Sequence, residues 1–437
     1  MGRWRISYPG NSILKNRLTI IAGLILLSLL TGTAFAAAGD EAAYPCPIDA
    51  DLWLLGGQSN MQGQDYVTNY PPQEDPRIVT FNMANQWMTA TDPLHRLFEA
   101  AAPVHRNIFM KNILRNAASP AAAEKTFESF RDDLRKNPRG VGLGITFAQT
   151  ILKETGRPVG LIPCAHGGTS MAQWNPALKD QGDASLYGAM INRVKMVGGG
   201  QKIKGLLWYQ GESETGSAGS ITNFENNFIT FIDSVRRDLK QPELPIIYVQ
   251  IGRYVHSPEL GGGYEQIREL QRRIVKERKN IYFTTAIDQP LFDLIHISGS
   301  GQQCLGRRVA ELALTYVYDK PGHGKQIDLE SASVINSGKQ IHLKFSGVSG
   351  KLQSAGRPEQ FELRGDSPDA KDVPLIFRVD FDPQDPAALN LSVEKSIKGR
   401  VKLLCGGGMN PYMNVVDDRN MPIPAFGPIE VTAEKQP

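Results

Sequence analysis

Four short blocks of this chain hold side chains suited to acyl transfer, and the first centres on Ser59. In Leu52-Trp53-Leu54-Leu55-Gly56-Gly57-Gln58-Ser59-Asn60-Met61 an apolar run stops at a glycine pair and presents one hydroxyl. His166-Gly167-Gly168-Thr169-Ser170, Trp208-Tyr209-Gln210-Gly211-Glu212-Ser213 and Asp293-Leu294-Ile295-His296 follow, each just after a strand-like run. Open parallel sheets place their chemistry at the carboxyl ends of strands, where all four blocks fall. A nucleophile, glycine amides, a polar side-chain donor and an acid-base pair are the parts of an acyl-transfer site.

A serine hydroxyl is a weak nucleophile until a base takes its proton, and the base is usually an imidazole held by a carboxylate. His296 lies three residues after Asp293, so one turn can present both, with the carboxylate accepting from the ring and fixing its tautomer. The same pair also fits a helix-entry loop with a capping aspartate. His166 competes for the role of base, and Glu212 competes with Asp293 as the orienting carboxylate. His95, His105, His256, His323 and His342 lack a partner pattern and read as surface or packing residues. Cleavage of an ester puts negative charge on one oxygen, which preorganised donors must meet. The N–H groups of Ser59 and Gly168 are candidates, because glycine lets the main chain approach closely. Gln210 can add a side-chain amide, with Gly167 and Glu212 in support and Gln58 and Asn60 flanking the nucleophile.

The elements that must position these residues read as a three-layer α/β domain over 45–320. Apolar runs at 51–55, 158–164, 203–209, 245–251 and 281–286 are short and bounded by Gly or Pro, as parallel strands covered on both faces are. Between them the apolar residues recur at helical spacing, for example Phe224, Phe228, Phe231, Ile232 and Val235. Such alternation implies helices on both sides of a parallel sheet. Residues 98–140, basic and alanine-rich, interrupt the scheme; they read as a helical or loop insertion near the site mouth whose charges form a solvated face rather than a lid over substrate. Beyond a linker at 319–324, short alternating runs and turn residues suggest a small antiparallel β domain over 321–437.

The order Ser, Asp, His also occurs in the α/β-hydrolase fold, whose nucleophile elbow reads G-x-S-x-G. Met61 stands where the second glycine belongs, so that fold is set aside. Formal charge is only +3, from Lys+Arg 48 against Asp+Glu 45, which asks for neither nucleic acid nor acidic lipid as partner. The N-terminus carries Arg3, Arg5, Lys15 and Arg17, then an apolar run over 18–30 and a small-residue exit, the pattern of a secretory signal peptide over 1–38. The expected mature protein is secreted or periplasmic, with no membrane span after cleavage. Cys46, Cys164, Cys304 and Cys405 fit an exported chain in which disulfides are permitted, while Cys164, ending a strand, also fits a buried thiol. No close cysteine spacing suggests zinc. The sequence leaves the oligomeric state open.

Taken in order across one domain, the four blocks resemble the SGNH hydrolase superfamily, in particular its carbohydrate-esterase branch of sialate O-acetylesterases and family 6 acetyl xylan esterases. The first block has Gln58 and Asn60 where the wider superfamily has Asp and Leu, and the third has Gln210 where it has Asn; both shifts are typical of that branch. The resemblance covers about 51–318 and, loosely, 414–418 and 422–426, which look like an esterase-associated β domain. It implies Ser59 as nucleophile, His296 as base, Asp293 as its partner, and Gly168 with Gln210 in the oxyanion hole. It further implies an acetylated sugar as substrate, cleaved with neither metal nor organic cofactor. Trp174, Trp87 and Tyr66 would then either wall a sugar ring or, as aromatic residues at such places more often do, simply pack. Acetyl xylan esterase, a glycan-binding protein that kept the fold, and a lipase or thioesterase on the same scaffold stay open as alternatives.

Overall fold

A computed structural model of the protein describes residues 43–71, 73–256, 263–365 and 372–432; the signal-peptide reading of 1–38 lies outside them. The expected parallel strands form: β1 (Asp51–Gly57), β6 (Val159–Pro163), β7 (Ile203–Tyr209), β8 (Ile246–Gln250) and β9 (Ile281–Thr285), all almost wholly buried. Short β2 (Asp65–Tyr66) pairs with β5 (Arg139–Val141) outside the main sheet. β3 (Ile78–Phe81) runs parallel to β6, and β4 (Trp87–Thr89) closes that edge antiparallel, giving the order β4-β3-β6-β1-β7-β8-β9. β1 therefore lies at the centre, between β6 and β7.

Two tryptophans show why both faces of this sheet must be covered. Trp53 pairs with Gly205 and Trp208 with Gly56, so the two indoles point to opposite faces. Trp53 packs edge-on against Phe147 of α4 (Gly144–Thr155), which lies against α8 (Gly299–Tyr316). Trp208 packs on Phe228 and Phe231 of α6 (Ala218–Asp238). α7 (Gly263–Ile274) lies beside α6, and α5 (Leu186–Met196) follows the loop after β6. The helical spacing of Phe224, Phe228, Phe231 and Val235 is thus the sheet-facing stripe of α6, all fully buried.

The insertion is a helical hairpin. α2 (Pro103–Leu114) and α3 (Pro120–Lys136) each open with proline at the first helical position, where its missing N–H costs nothing, and Ser119 caps α3 by accepting from Ala122 N. Phe98, Phe109 and Phe127 join the two helices, with Phe98 and Phe109 stacked at 4.6 Å.

After Tyr318 the chain is antiparallel β, as its alternation suggests. β10 (Asp328–Ile335), β11 (Gln340–Ser346), β15 (Ala388–Val393) and β14 (Ile376–Phe381) form one sheet. β13 (Phe361–Arg364), β16 (Arg400–Cys405) and β18 (Phe426–Thr432) form another, and β12 (Leu352–Ser354) pairs with β17 (Val415–Asp417). This tail packs into one compact unit with the α/β layers over 40–437. Fully buried Arg268 on α7 binds it, donating to the carbonyls of Ile251 and Gly252 beside β8 and of Gly406, Gly408 and Met409 in the tail. Burial pushes that guanidinium down to about 10. Cys46, Cys164, Cys304 and Cys405 are all free thiols, so the disulfides that an exported chain permits do not form among them. Among the described residues no helix is long and apolar enough to cross a membrane, and no group of three or more His, Cys, Asp or Glu is placed to hold a metal ion.

Candidate active site

The end of β1 delivers Ser59 because Gly57 permits a turn that other residues resist. Gly57 has φ of 128°, and a Cβ there would lie 2.1 Å from the carbonyl oxygen of Tyr209 on the neighbouring strand. Gln58 N donates to that same carbonyl at 2.9 Å, and Ser59 then opens the single turn α1 (Ser59–Gln62). The loop after β6 closes over it: His166 N donates to Gly57 O, and Gly167 N donates to Gln62 Oε1 at 3.2 Å. A Cβ on Gly167 would come within 3.3 Å of Ser59 Cβ and 3.2 Å of Gln62 Oε1, so any larger residue would crowd the turn that bears the hydroxyl.

The fourth block is a tight loop between Leu291 and Ile297, which form an antiparallel bridge, with Phe292 N donating to His296 O at 2.7 Å. Asp293 Oδ1 accepts from the N–H groups of Ile295 (2.9 Å) and His296 (2.8 Å), the local turn an aspartate favours. Its other oxygen, Oδ2, lies 2.7 Å from His296 Nδ1, and His296 Nε2 lies 3.0 Å from Ser59 Oγ. Partial burial raises the Asp293 carboxyl, but the hydrogen bonds from the imidazole and the two amides outweigh it and hold the group below its usual range. An ionised Asp293 accepting from Nδ1–H leaves Nε2 as the acceptor for the serine proton.

Asn60 fixes this loop to the turn that carries Ser59. Its Oδ1 accepts from Ile297 N at 2.9 Å, its Nδ2 donates to Glu212 Oε1 at 2.6 Å, and its carbonyl accepts from Gln302 Nε2 at 2.7 Å. Glu212 therefore grips Asn60, while Asp293 holds His296. Burial raises the Glu212 carboxyl above its ordinary value, partly offset by Asn60. Asp65 adds a second tie, accepting from Gly299 N at the start of α8 (2.8 Å) and from Tyr70 OH.

Residues 49–315 match the family model described as carbohydrate esterase, sialic acid-specific acetylesterase. The chain belongs to this carbohydrate esterase family. A probable carbohydrate esterase of Arabidopsis thaliana is 34% identical over 309 residues, 65% of this chain and 99% of that protein. The crystal structure of a carbohydrate acetylesterase from Xanthomonas citri superposes with a TM-score of 0.60 at 20% identity, over 86% of this chain and 80% of that one, a likeness of fold.

In the esterase, two expected site residues point elsewhere. Gln210 is fully buried and its Nε2 donates to Glu214 Oε1 (3.0 Å) and Thr169 O (3.3 Å), so this amide is already engaged and does not face the cleft. Trp174 is fully buried too, edge-on to Trp208 at 5.2 Å with Nε1 donating to Thr169 Oγ1, which makes it core rather than a wall for a sugar. Both brace the loop that carries Gly167 and Gly168. Asn60 is buried and committed as described, leaving Gln58 as the flanking residue that lines the cleft; Gln58 Oε1 accepts from Ser213 N. Among the described residues, the N–H groups of Ser59 and Gly168 have no acceptor. Gln62 and Glu214 escape the sequence reading, although Gln62 is three residues after Ser59 on its turn and Glu214, two after Glu212, accepts from Met171 N.

His166, the rival base, is bonded instead to His105, Nδ1 to Nδ1 at 2.9 Å, so one ring donates and the other accepts. His95 is buried with them, so of the surface or packing roles expected of His95 and His105 both take the packing one. Burial pushes His166 down to about 4 and His95 to about 3. An unfolded chain takes up these protons below pH ~6.5 while the folded one does not, so the histidines withdraw stability as pH falls from 6.5 towards 4. Asp92, pushed by burial up to about 7, acts with the opposite sign. His166→Gln isolates one contribution. Its unfolding free energy, measured by denaturant titration at pH 7 and pH 4, is expected to gain on the wild type by about 3 kcal/mol over that interval. A constant gap between the two proteins would show that His166 charges freely in the fold.

Ser59, Gly167, Gly168 and His296 open onto a cleft of about 1160 Å³ whose other walls include α2 and α3. The insertion expected as a solvated face thus turns one side of its hairpin to the site.

Proposed function

We propose that this carbohydrate esterase is an exported O-acetylesterase acting through an acyl-enzyme on Ser59. The observation that carries the reading is the continuous path from Asp293 Oδ2 through His296 to Ser59 Oγ, with steps of 2.7 and 3.0 Å. Ser59 Oγ bonds to the acetyl carbon as its proton passes to His296 Nε2, and the Ser59 and Gly168 amides receive the charge on the carbonyl oxygen. The tetrahedral species collapses by breaking the bond to the sugar oxygen, which takes the proton from His296. Water, deprotonated by the same ring, then releases acetate and restores the serine. The family description supports acetyl as the acyl group, and the sequence pattern over 1–38 supports export.

Acetate release from a panel of O-acetylated sialosides and acetylated xylans tests the reading. Turnover is expected on at least one of them and is abolished in Ser59→Ala. A folded protein that binds these glycans but frees no acetate from any would be a glycan-binding relative instead.

A further inference from the structure

The helical hairpin of α2 and α3 leaves part of its apolar side unpaired with protein. Phe109, Ile113, Phe130 and Leu134 line the cleft, and Phe130 is 53% exposed. A helix of a globular protein ordinarily buries its apolar stripe against other elements. Here the stripe faces a cavity that reaches Ser59.

We infer that this face is an acyl-binding wall, and that the enzyme also hydrolyses esters of straight-chain acids longer than acetic acid. The inference rests on the acyl-enzyme reading above and concerns which acyl groups it accepts. The direction of the acyl chain follows from the chemistry. The leaving oxygen must sit within reach of His296 Nε2 and the carbonyl oxygen at the Ser59 and Gly168 amides, so the acyl substituent extends away from the imidazole. On the Gly167 side of Ser59 stands His166, and Phe109 packs against that ring at 4.9 Å. Phe98 stacks on Phe109, and the carbon surface continues along the hairpin through Ile113 to Phe130. Phe109, Ile113, Phe130 and Leu134 present only carbon, which suits methylenes, although Asn112 of α2 and Asn116 just beyond it also line the cleft. Charged groups line the cleft in two places: near the catalytic loop, where the Arg139 guanidinium sits over the Tyr66 ring at 5.4 Å and Tyr66 meets Phe292 at 5.7 Å, and on α3, where Arg131 and Arg135 follow Phe130 and Leu134. An acetyl group, with one methyl, leaves the apolar face unused.

The bonds made and broken are those of acetyl transfer. Ser59 Oγ bonds to the acyl carbon, the ester C–O bond breaks, the serine proton reaches the leaving oxygen through His296, and water frees the carboxylic acid.

The full-length mature enzyme is assayed with 4-nitrophenyl acetate, butyrate and hexanoate below their micelle concentrations, which holds the leaving group constant. kcat/KM is expected to hold or rise from acetate to hexanoate, by at most about fourfold per methylene buried. Phe109→Ser and Phe130→Ser are expected to lower the hexanoate-to-acetate ratio about tenfold in at least one case, whereas Phe109→Leu keeps it. The ratio makes each protein its own control, and exposed Phe130 can be changed without opening the core. A drop of tenfold or more in kcat/KM from acetate to butyrate in the wild type overturns the inference while leaving acetyl transfer intact. So does an unchanged ratio in both serine variants, including the case where they alter only KM for acetylated sugars, since the face would then hold the sugar ring. Failure on all three esters removes the acyl-enzyme reading itself.

Discussion

Ser59→Ala is expected to lower kcat for hydrolysis of an acetyl ester by roughly 10⁶-fold, the scale seen when the nucleophile of a serine hydrolase is removed. The expectation rests on how completely the fold commits to this hydroxyl. Gly57 turns the chain there, Gly167 lets a second loop come within contact of it, and the imidazole of His296 reaches it at 3.0 Å. Among the described residues no other hydroxyl lies within hydrogen-bond distance of His296, so none of them stands ready to take over. Structural cost should be small, because among the described residues the deleted oxygen bonds only His296 and the cleft is open to water. The check is kcat on a chromogenic acetyl ester beside a thermal melt: activity lost with the melting temperature kept within a few degrees. Retention of more than a few per cent of wild-type kcat would move the nucleophile elsewhere.

The two carboxylates near the base should respond very differently to amide replacement. Asp293→Asn is expected to cost about 10⁴-fold in kcat, since an amide can no longer accept from Nδ1–H and the ring is left in the wrong tautomer. Glu212→Gln should stay within about tenfold, because Glu212 hydrogen-bonds Asn60 and not His296, and glutamine keeps a side-chain oxygen that can accept from Asn60 Nδ2. Glu212→Ala should do more harm, as buried Asn60 Nδ2 would lose its 2.6 Å acceptor, at a cost of about 1–3 kcal/mol in stability. Reversal of the order, with Glu212→Gln crippling and Asp293→Asn mild, would make Glu212 the orienting acid. Steady-state kinetics and unfolding titrations on the three variants decide it.

Local signals carried much of the fold. The apolar runs bounded by Gly and Pro became five adjacent parallel strands, β6, β1, β7, β8 and β9, and the stripe of Phe224, Phe228 and Phe231 became the buried face of α6. The alternation beyond residue 324 became antiparallel sheets, although they pack with the α/β layers into one compact unit. Misreadings fall where direction, not residue type, sets the outcome. Gln210 and Trp174 lie in the right loops, yet one step along a chain leaving a strand turns a side chain from the cleft to the core. The insertion over 98–140 reads as a solvated basic face, and the apolar side formed by Phe109, Ile113 and Phe130 escapes that reading because an apolar residue facing a cavity has the same sequence context as one facing a neighbour.

The sequence by itself determined that Asp293 and His296 share one turn, because three residues and an aspartate that caps its own backbone need nothing from the rest of the chain. It also determined that glycines flank Ser59: Gly57 holds a conformation and an approach that a Cβ forbids, and Gly167 an approach that a Cβ would crowd. Only the tertiary structure decided that His296 meets Ser59 across 237 residues of chain, that Glu212 serves Asn60, and that His166 is spent on His105. Those pairings depend on strand order and on which way each loop turns as it leaves the sheet. Both are set by packing over the whole core, and no stretch of sequence carries them locally.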